Sequence, residues 1–324
     1  ERALPAGLAA RTLAGAVAGT YAQAKVADLT GVPTVTDAAL LAWASAAELA
    51  FASLAATGDA VVGEARFAGP HEVVVRGSAG ERTLTGEFVL IATGSRPHRP
   101  AGIDFADPAV HDSDEILTIE ALPRSMTLLG GGVIGCEYAC MFAALGVEIT
   151  LVDARPEILP FLDLEIVARL KSAMAKLGVR FVQGESWTGV ERRGERIVAK
   201  LASGVELDGE HLLFTAGRVG RTAGLGLETI GLAPDARGYL AVDARFCTPV
   251  PHVLAAGDVI GFPALASVSM EQGRVAVCHA FGFPYKQAVA ATMPYGIYTI
   301  PEVSAFGETE ESCRQKGIDY VVGR

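Results

Sequence analysis

The middle of the chain alternates between short apolar runs and longer stretches with helical spacing. Four apolar runs have the length of buried strands, at residues 126–129, 148–152, 179–182 and 211–215. Helices are predicted between the first three runs, one from Val133 onward and one from Leu164 to Leu177. Asp163 is placed to cap the start of the second helix, and Gly178 is placed to end it. This order of strands and helices predicts a parallel sheet covered by helices.

The flanking regions follow other patterns. Residues 1–57 are rich in alanine and leucine and predict helices. Short alternating segments then predict a hairpin-like series of strands, at residues 60–67, 72–76 and 82–91. Further on, Ser203-Gly204 predicts the turn of a hairpin that is appended to the parallel sheet. The whole pattern indicates an α/β chain with antiparallel additions.

Composition narrows the class of protein. The chain has 324 residues, of which 50% are hydrophobic, so it is long enough for two domains of ordinary size. Its formal net charge of -10, without a block of lysine or arginine, argues against nucleic-acid or anionic-membrane partners. The N-terminus lacks the order of a signal peptide, and polar residues interrupt the apolar stretch 40–56. A soluble protein of the cytoplasm is therefore expected.

The main candidate for chemistry is the glycine-rich turn Gly130-Gly131-Gly132-Val133-Ile134-Gly135, between the first strand and its helix. Gly130 permits the tight turn, Gly132 lets the backbone approach a pyrophosphate, and Gly135 lets the helix pack closely on the sheet. The phosphates would bind the free N–H groups at the start of that helix. Asp153 ends the next strand, where its carboxylate can accept hydrogen bonds from the ribose hydroxyls of NAD. This arrangement predicts a dinucleotide-binding βαβ unit.

Arg155 leaves the choice between NAD and NADP open. The carboxylate of Asp153 favours a free 2′-hydroxyl, whereas a guanidinium two residues further on can meet a 2′-phosphate. A solvated surface arginine is the alternative interpretation.

The cysteines and histidines indicate neither a metal site nor a catalytic base. Five cysteines stand at positions 136, 140, 247, 278 and 313. Cys136 and Cys140 fall four apart on the predicted helix, where Cβ atoms lie about 5–6 Å apart, whereas a disulfide needs about 3.8 Å. They are expected to be small core residues, with a redox role as the lesser alternative. The six histidines are scattered and are expected to be structural.

Three further motifs carry a family resemblance. They are Val89-Leu90-Ile91-Ala92-Thr93-Gly94-Ser95-Arg96-Pro97, Phe214-Thr215-Ala216-Gly217-Arg218 and Val253-Leu254-Ala255-Ala256-Gly257-Asp258-Val259. Together with the glycine turn, and in this order, they resemble the FAD-dependent pyridine nucleotide-disulfide oxidoreductases. The resemblance implies that the Thr93-Gly94 turn marks a crossing between domains and is cofactor-binding, and that Gly217 belongs to the nucleotide site. It also implies that Gly257 is cofactor-binding and that Asp258 holds the ribityl chain of FAD.

The same resemblance extends to the helix that begins near Leu265-Ala266. It implies that this helix starts beside the pyrimidine edge of the flavin, where its positive end stabilises a reduced flavin. Six segments look like one branch of the family, the soluble NAD(P) transhydrogenases: 112–117, 132–139, 161–163, 257–261, 265–267 and 296–302. In this branch resemblance Glu137 matches a glutamate near the nicotinamide carboxamide, and Val133 stands where some relatives carry an aromatic gate. A surface acid on the helix is the alternative interpretation of Glu137.

The family resemblance implies a two-domain flavoprotein fold. A Rossmann-like NAD(P)-binding domain is inserted in an FAD-binding domain, here expected to be incomplete. The expected limits are 1–123 and 247–290 for the two parts of the FAD-binding domain, 124–246 for the NAD(P)-binding domain and 291–324 for the start of a dimer-interface domain. Since no FAD-type glycine motif stands near residue 1, the chain is expected to be an internal piece of a longer protein.

The resemblance also implies an activity, the transfer of hydride from NADPH to NAD through FAD. Flavin N5 carries the hydride, so no side chain is expected to be a catalytic residue and no metal is needed. The parent protein is expected to be a homodimer or a larger homo-oligomer. Two alternatives stay open: a disulfide reductase of the dihydrolipoamide dehydrogenase type, and an NAD(H)-binding fragment without turnover.

Overall fold

The computed structural model describes residues 61–78 and 80–324 of the chain. The helices predicted over residues 1–57, with the apolar stretch 40–56, lie outside the described residues. The chain divides into two compact units. The first unit holds residues up to Arg96 and Arg218–Val289, and the second holds Pro97–Gly217 and Ala290–Arg324. The predicted limits of the functional domains are a different division, which stays a prediction.

The elements are numbered in chain order. The strands of the described residues are β1 (Glu64–Gly69), β2 (Glu72–Gly77), β3 (Gly80–Thr85), β4 (Val89–Ile91), β5 (Ser95–Pro97), β6 (Val110–Asp112), β7 (Ser125–Leu129), β8 (Glu148–Asp153), β9 (Val179–Gln183), β10 (Trp187–Arg193), β11 (Arg196–Leu201), β12 (Glu206–Gly209), β13 (His211–Phe214), β14 (Arg218–Gly220), β15 (Val253–Ala255), β16 (Tyr295–Ile297) and β17 (Val303–Ala305). The α-helices are α1 (Val133–Ala144), α2 (Leu164–Lys176), α3 (Ala266–Ala280) and α4 (Glu310–Lys316). Short 3₁₀ helices cover Glu115–Thr118, Leu227–Ile230 and Gly257–Ile260.

A five-stranded parallel sheet forms the centre of the second unit, with the strand order β6-β13-β7-β8-β9. Each neighbouring pair of strands runs in parallel. Helix α1 connects β7 to β8, and α2 connects β8 to β9. The predicted alternation of strands and helices is therefore confirmed. Because the strands are parallel, the carboxyl ends of β7, β8, β9 and β13 lie at the same edge of the sheet.

The two helices of this sheet differ in how much of their surface they bury. Helix α1 buries most of its length, including Cys136, Tyr138 and Cys140. Helix α2 is amphipathic and buries Val167 and Leu170, with Met174 one turn further on. Each such apolar side chain contributes about 1.5–3 kcal/mol when fully buried.

Both predicted ends of α2 are confirmed. The Asp163 carboxylate accepts a hydrogen bond from the Glu165 backbone N–H at 2.9 Å. Gly178 follows the helix with a φ of 102°, a left-handed conformation that glycine adopts at little cost. The pattern of a polar cap, an apolar stripe and a terminal glycine therefore located this helix correctly.

The antiparallel addition to the second unit is larger than predicted. Strands β10, β11 and β12 form a three-stranded sheet, in which Ser203-Gly204 makes the predicted turn between β11 and β12. A second turn at Gly194, with a φ of 62°, joins β10 to β11. This turn was not predicted, because β10 has a polar surface that carries only a weak strand pattern.

The first unit departs from the predicted hairpin series at one point. Strands β1, β2 and β3 pair in antiparallel order, as predicted. The segment predicted as one strand over residues 82–91 is wrong, since it divides into β3 and β4 around Gly86. The Gly86 backbone N–H donates to the His71 carbonyl, which is the last hydrogen bond of this hairpin, and β4 begins three residues later. Strand β4 then pairs in parallel with β15, with Val89 opposite Val253, 164 positions further along the chain.

The last segment of the chain packs on the second unit. Ile297 and Val303 from β16 and β17 are buried in the same core as α1 and β7. Helix α4 begins with a capping box, in which the Thr309 side chain accepts from the Ser312 N–H and the Ser312 side chain accepts from the Thr309 N–H. No helix within residues 61–78 and 80–324 is long and apolar enough to cross a membrane.

Candidate functional site

The predicted glycine turn lies between β7 and α1, and a different structural feature explains the glycine at each of its three motif positions. Gly130 has a φ of 123°, and its N–H donates to the Val152 carbonyl at 2.8 Å. A Cβ on Gly135 would lie 1.8 Å from the Gly130 carbonyl oxygen, so only glycine lets α1 pack here. A Cβ on Gly132 would meet nothing within 4 Å, so this position is open to a ligand.

Helix α1 begins without a side-chain cap. Gly132 is its N-cap residue and has no side chain, so the N–H groups of the first turn, from Val133 and Ile134 onward, lack a side-chain acceptor. Such N–H groups, at the positive end of a helix, attract anions. Val133 and Ile134 are half-buried and pack against the core of the second unit, so their side chains support the helix.

Asp153 is buried at the end of β8 and accepts four hydrogen bonds. Its Oδ2 accepts from the Gly131 N–H at 2.5 Å and from Arg155 Nη2 at 2.7 Å. Its Oδ1 accepts from the Arg155 backbone N–H and from Arg155 Nε, each at 2.8 Å. Burial opposes the charge of this carboxylate, but the hydrogen bonds from Arg155 and Gly131 outweigh it and hold the pKa of Asp153 below its usual value. Asp153 therefore stays ionised and fastens the glycine turn to β8.

These residues line one cavity of about 440 Å³ at the carboxyl edge of the sheet. Its volume is within the range typical of small-molecule and cofactor sites. The lining residues are Leu129, Gly130, Gly132, Val152, Asp153, Ala154, Arg155, Glu185, Ser186, Trp187, Thr215, Ala216 and Gly217. Five residues predicted for nucleotide binding thus come together here: Gly130, Gly132, Asp153, Arg155 and Gly217.

Among the cavity residues that were not predicted from the sequence are Glu185, Ser186 and Trp187. They follow β9, whose carboxyl end lies at the same sheet edge as those of β7 and β8. That placement is the signal that could have identified them, because ligands of open α/β sheets bind outside the carboxyl ends of the strands. Val133, Ile134, Gly135 and Glu137 were predicted for the same site but do not line this cavity.

Glu137 is buried on α1, so the alternative of a surface acid is wrong. Only 1% of its surface is exposed. Its Oε1 accepts from the Tyr298 backbone N–H at 2.7 Å, whereas its buried Oε2 has no hydrogen-bond partner within the described residues. Burial raises the pKa of Glu137 to about 7, although the hydrogen bond from Tyr298 opposes this shift. An unpaired buried oxygen is costly and calls for a partner that a ligand can supply.

In the first unit, Asp258 is buried beyond the end of β15 and is held by two residues that sequence reasoning did not assign. The Ser95 hydroxyl donates to Asp258 Oδ2 at 2.9 Å, and Arg218 Nε donates to Ser95 Oγ at 2.7 Å. Burial raises the pKa of Asp258, while the hydrogen bond from Ser95 and the charge of Arg218 oppose that shift. The three side chains form one chain of polar contacts. Ser95 directly follows Gly94 in the motif Val89–Pro97.

The Thr93-Gly94 turn is fastened within the same unit. The Thr93 hydroxyl donates to the Arg221 carbonyl at 2.7 Å, and the Arg221 N–H donates to the Gly94 carbonyl at 3.0 Å. Gly94 has a φ of 73°, which explains the glycine at this turn. Both residues therefore have a structural reason that is independent of a cofactor.

Helix α3 also begins without a side-chain cap. Its N-cap residue is Leu265, and Ala266 is the first helical residue. The Gly257 turn lies against this helix, since the Gly257 N–H donates to Gln272 Oε1 at 2.8 Å. The predicted helix start at Leu265-Ala266 is confirmed, and its first N–H groups lack a side-chain acceptor.

The cysteines agree with the prediction, whereas four histidines form pairs that it missed. Cys136 and Cys140 are free thiols in the core, and burial raises the pKa of each. His111 Nε2 and His211 Nδ1 lie 2.8 Å apart in the second unit. In the first unit the rings of His71 and His252 stack with their centroids 4.0 Å apart. Within the described residues no cluster of three or more metal-ligating side chains occurs.

Comparison with known protein families decides the family. The model of the pyridine nucleotide-disulphide oxidoreductase family matches residues 9–273. The chain belongs to this family. Its glycine turns, its parallel sheet and its buried Asp258 are thus features of a member of this family, and the α/β flavoprotein fold expected from the sequence is confirmed.

Curated relatives place the chain within the family more closely. The soluble pyridine nucleotide transhydrogenase of Mycobacterium bovis (strain BCG / Pasteur 1173P2) is 47% identical over 267 residues, which are 82% of this chain and 57% of the relative. The protein of the same name from Marinomonas sp. (strain MWYL1) is 43% identical over 267 residues, again 82% of this chain and 57% of the relative. The chain thus spans a little over half the length of the curated relatives it matches.

Solved structures of family members are similar over much of the chain. The HOCl-induced flavoprotein disulfide reductase RclA from Escherichia coli has a TM-score of 0.74 at 29% identity, over 80% of this chain and 59% of that one. LpdA from Mycobacterium tuberculosis has a TM-score of 0.75 at 26% identity, over 96% of this chain and 70% of that one.

Proposed function

We propose that this chain contributes the nicotinamide-dinucleotide site, and part of the FAD site, of an enzyme that transfers hydride between NADPH and NAD. The observation that carries the proposal is the cavity at the carboxyl edge of the second unit. There an open glycine, the uncapped start of α1 and an ionised buried carboxylate come together. The names of the curated relatives, at 40–47% identity, support the choice of reaction.

The residues of the second unit fit a nicotinamide dinucleotide. The open space at Gly132 and the free N–H groups of Val133 and Ile134 would take the pyrophosphate, with Gly130 and Gly135 shaping the turn. Asp153 and Arg155 would contact the adenosine ribose.

The nicotinamide end of the dinucleotide would meet Glu137. A carboxamide carries two N–H donors, and Glu137 Oε2 is a buried acceptor that lacks one within the described residues. The Tyr298 N–H fixes the other oxygen, so the carboxyl group can present Oε2 in a defined direction. Glu137 is therefore a positioning residue in this proposal.

The residues of the first unit fit the ribityl chain and ring of FAD. Ser95 holds one oxygen of Asp258, and the same carboxylate can accept from a flavin hydroxyl. The uncapped start of α3, at Leu265 and Ala266, is suited to stabilise negative charge on a reduced flavin ring. When bound, FAD supplies the hydride acceptor and donor, so no nucleophilic side chain is required.

A disulfide reductase is the second candidate, favoured by the similarity to the flavoprotein disulfide reductase RclA. Both candidates use the same glycine turns and the same carboxylates. They differ in a CxxxxC redox pair, and the absence of this spacing from this sequence does not decide between the two candidates. The chemistry of the flavin after reduction therefore separates them.

An anaerobic titration of the complete protein tests the proposal. NADPH is added first and NAD second, and the visible absorbance of the flavin is recorded. We expect bleaching by NADPH and full recovery by NAD. A long-wavelength thiolate-to-flavin band after NADPH would support the disulfide reductase, and a colourless protein that binds NADH would support a fragment without turnover.

A further inference from the structure

The Asp153 carboxylate has no acceptor position left for a ribose hydroxyl. An ionised carboxylate offers about four lone-pair positions. The structure fills four of them, with the Gly131 N–H, the Arg155 N–H and two guanidinium nitrogens of Arg155. A ribose hydroxyl can bind Asp153 only if one of these donors leaves.

The guanidinium is the donor that can leave. The Gly131 and Arg155 N–H groups are fixed by the glycine turn and by the end of β8, where the Gly130 N–H is itself bonded to Val152. The Arg155 side chain, in contrast, is 45% exposed, whereas that of Asp153 is 6% exposed. The long arginine side chain can therefore rotate away from the buried carboxylate into solvent without disturbing the turn.

The charges around the cavity give the released guanidinium a second role. Among the described residues that line the cavity, Arg155 is the only cation, and Asp153 and Glu185 are acids. A 2′-phosphate entering beside two carboxylates would be repelled unless Arg155 meets it. Guanidinium binds phosphate in the same bidentate manner as it binds carboxylate.

We propose that Arg155 is a movable counter-ion that lets one ribose site accept both a 2′-hydroxyl and a 2′-phosphate. Without nucleotide it closes the site by pairing with Asp153. The ribose hydroxyls of NAD replace the guanidinium at Asp153, whereas the 2′-phosphate of NADP binds the guanidinium itself. This inference rests on the proposed nucleotide site and adds the residue that lets the site bind both NAD and NADP.

The proposal predicts that one substitution changes the affinities for two ligands differently. Arg155→Ala removes both the competitor for Asp153 and the partner of the phosphate. We expect 2′-phospho-ADP-ribose to bind about tenfold or more weakly, as for loss of a charge-assisted pair. ADP-ribose should bind as well as before or a few-fold more tightly. Asp153→Asn should give the reverse order, with ADP-ribose the ligand that weakens.

The experiment is calorimetric binding of these two ligands, which lack nicotinamide, to the complete protein and its variants. Arg155→Lys keeps the charge but cannot form the bidentate pair, so its affinity for the phosphorylated ligand should lie between those of the wild type and Arg155→Ala. Arg155→Gln, which removes the charge but keeps a long polar side chain, replaces Arg155→Ala if that variant does not fold. Arg169→Ala is the matched control, since Arg169 is an exposed arginine paired with Glu165 on α2.

The outcomes separate the two levels of the argument. If the wild-type protein binds neither ligand, the proposed nucleotide site is wrong. If it binds both and Arg155→Ala weakens both to the same extent, Arg155 only supports the structure of the turn and the inference is overturned. A loss confined to the phosphorylated ligand, with Arg169→Ala unchanged, supports the movable counter-ion.

Discussion

The two units of the molecule each place a buried aspartate after a strand of a parallel pair, and they treat its charge in opposite ways. In the second unit burial is outweighed by the Arg155 guanidinium and two backbone N–H groups, which lower the pKa of Asp153. In the first unit burial outweighs the hydrogen bond from the Ser95 hydroxyl and the charge of Arg218, and it raises the pKa of Asp258. The difference indicates two kinds of site. Asp153 belongs to a site with a directly bonded, partly exposed cation, and Asp258 to one in which a neutral hydroxyl donates to the carboxylate.

The starts of the described α-helices fall into two classes. The two helices next to these aspartates, α1 and α3, begin without a side-chain cap. The other two, α2 and α4, are capped by Asp163 and Thr309. A cap satisfies the first-turn N–H groups internally, whereas its absence leaves them for a ligand. The helices without caps are therefore those proposed to meet pyrophosphate and flavin.

The largest expected effect comes from Gly135→Ala, which tests how tightly the second unit is packed at its glycine turn. The new Cβ would lie 1.8 Å from the Gly130 carbonyl oxygen, so β7 and α1 would have to separate. We expect a loss of at least about 3 kcal/mol in the free energy of unfolding, measured by urea denaturation.

Gly132→Ala is the matched control at the same turn. Its Cβ meets nothing within 4 Å, and its φ of -78° suits alanine, so stability should change little. Affinity for NADH should nevertheless fall about tenfold or more, because the methyl group occupies the space proposed for pyrophosphate. Unchanged NADH affinity would contradict the role of Gly132, and equal stability losses for both variants would contradict the packing argument.

A substitution of Asp258 tests the comparison in the first unit. Asp258→Asn removes the charge but keeps an oxygen for Ser95, so we expect the complete protein to lose about ten- to a hundredfold in FAD affinity. Ser95→Ala should cost less, because Asp258 stays in place. Flavin release measured by fluorescence during dialysis gives both values. If Ser95→Ala released FAD as readily as Asp258→Asn, the hydroxyl would be the principal contact.

Acid should weaken the second unit through the pair of buried His111 and half-buried His211. Burial, and next the neighbouring His211, lower the pKa of His111 to about 4, and the pKa of His211 is also lowered, mainly by burial. In the unfolded chain these histidines have the ordinary pKa of about 6.5, so they bind protons at pH values where the folded pair stays neutral. Stability is therefore complete above about pH 6.5 and falls as the pH drops toward 4.

Fluorescence-monitored urea unfolding between pH 7 and pH 4.5 measures this pH dependence. Asp107 and Asp112 favour the proton on His111, so their charges reduce the effect and are kept in the control. His111→Asn, which cannot titrate, should flatten the dependence. An equally steep loss of stability in that variant would assign it to other groups.

The smallest expected effect is at the caps. Asp163→Ala removes the side-chain acceptor of the Glu165 N–H and should destabilise the protein by about 1 kcal/mol. Leu265→Ala at the start of α3 removes no cap, so it should leave the N–H groups of that helix as they are. Thermal unfolding of both variants measures this difference in stability. An equal loss of stability in the two variants would contradict the capping role of Asp163.

The sequence identified those features that depend on local chemistry. The parallel sheet, the limits of α2 and the Ser203-Gly204 turn follow from apolar runs, caps and turn glycines. Asp153 also follows, because the glycine motif fixes the approximate distance to the carboxylate that acts with it, whereas Asp258 was expected from the family resemblance. Residues of this kind carry their own signal within a few positions.

Other features depend on contacts between distant segments, which no local pattern encodes. Ser95 meets Asp258 across 163 positions, and His111 meets His211 across 100. The burial of Glu137 depends on Tyr298, 161 positions away. The break between β3 and β4 has the same origin, because β4 pairs with β15 and not with its sequence neighbour.

The central claim is that the cavity of the second unit binds a nicotinamide dinucleotide through the glycine turn and Asp153. A crystal structure of the complete protein with NADH tests it most directly. We predict the pyrophosphate against the N–H groups of Val133 and Ile134, with the adenosine ribose at Asp153 and Arg155 turned away from it. NADH bound elsewhere, or an Asp153–Arg155 pair left intact beside the ribose, would contradict the account.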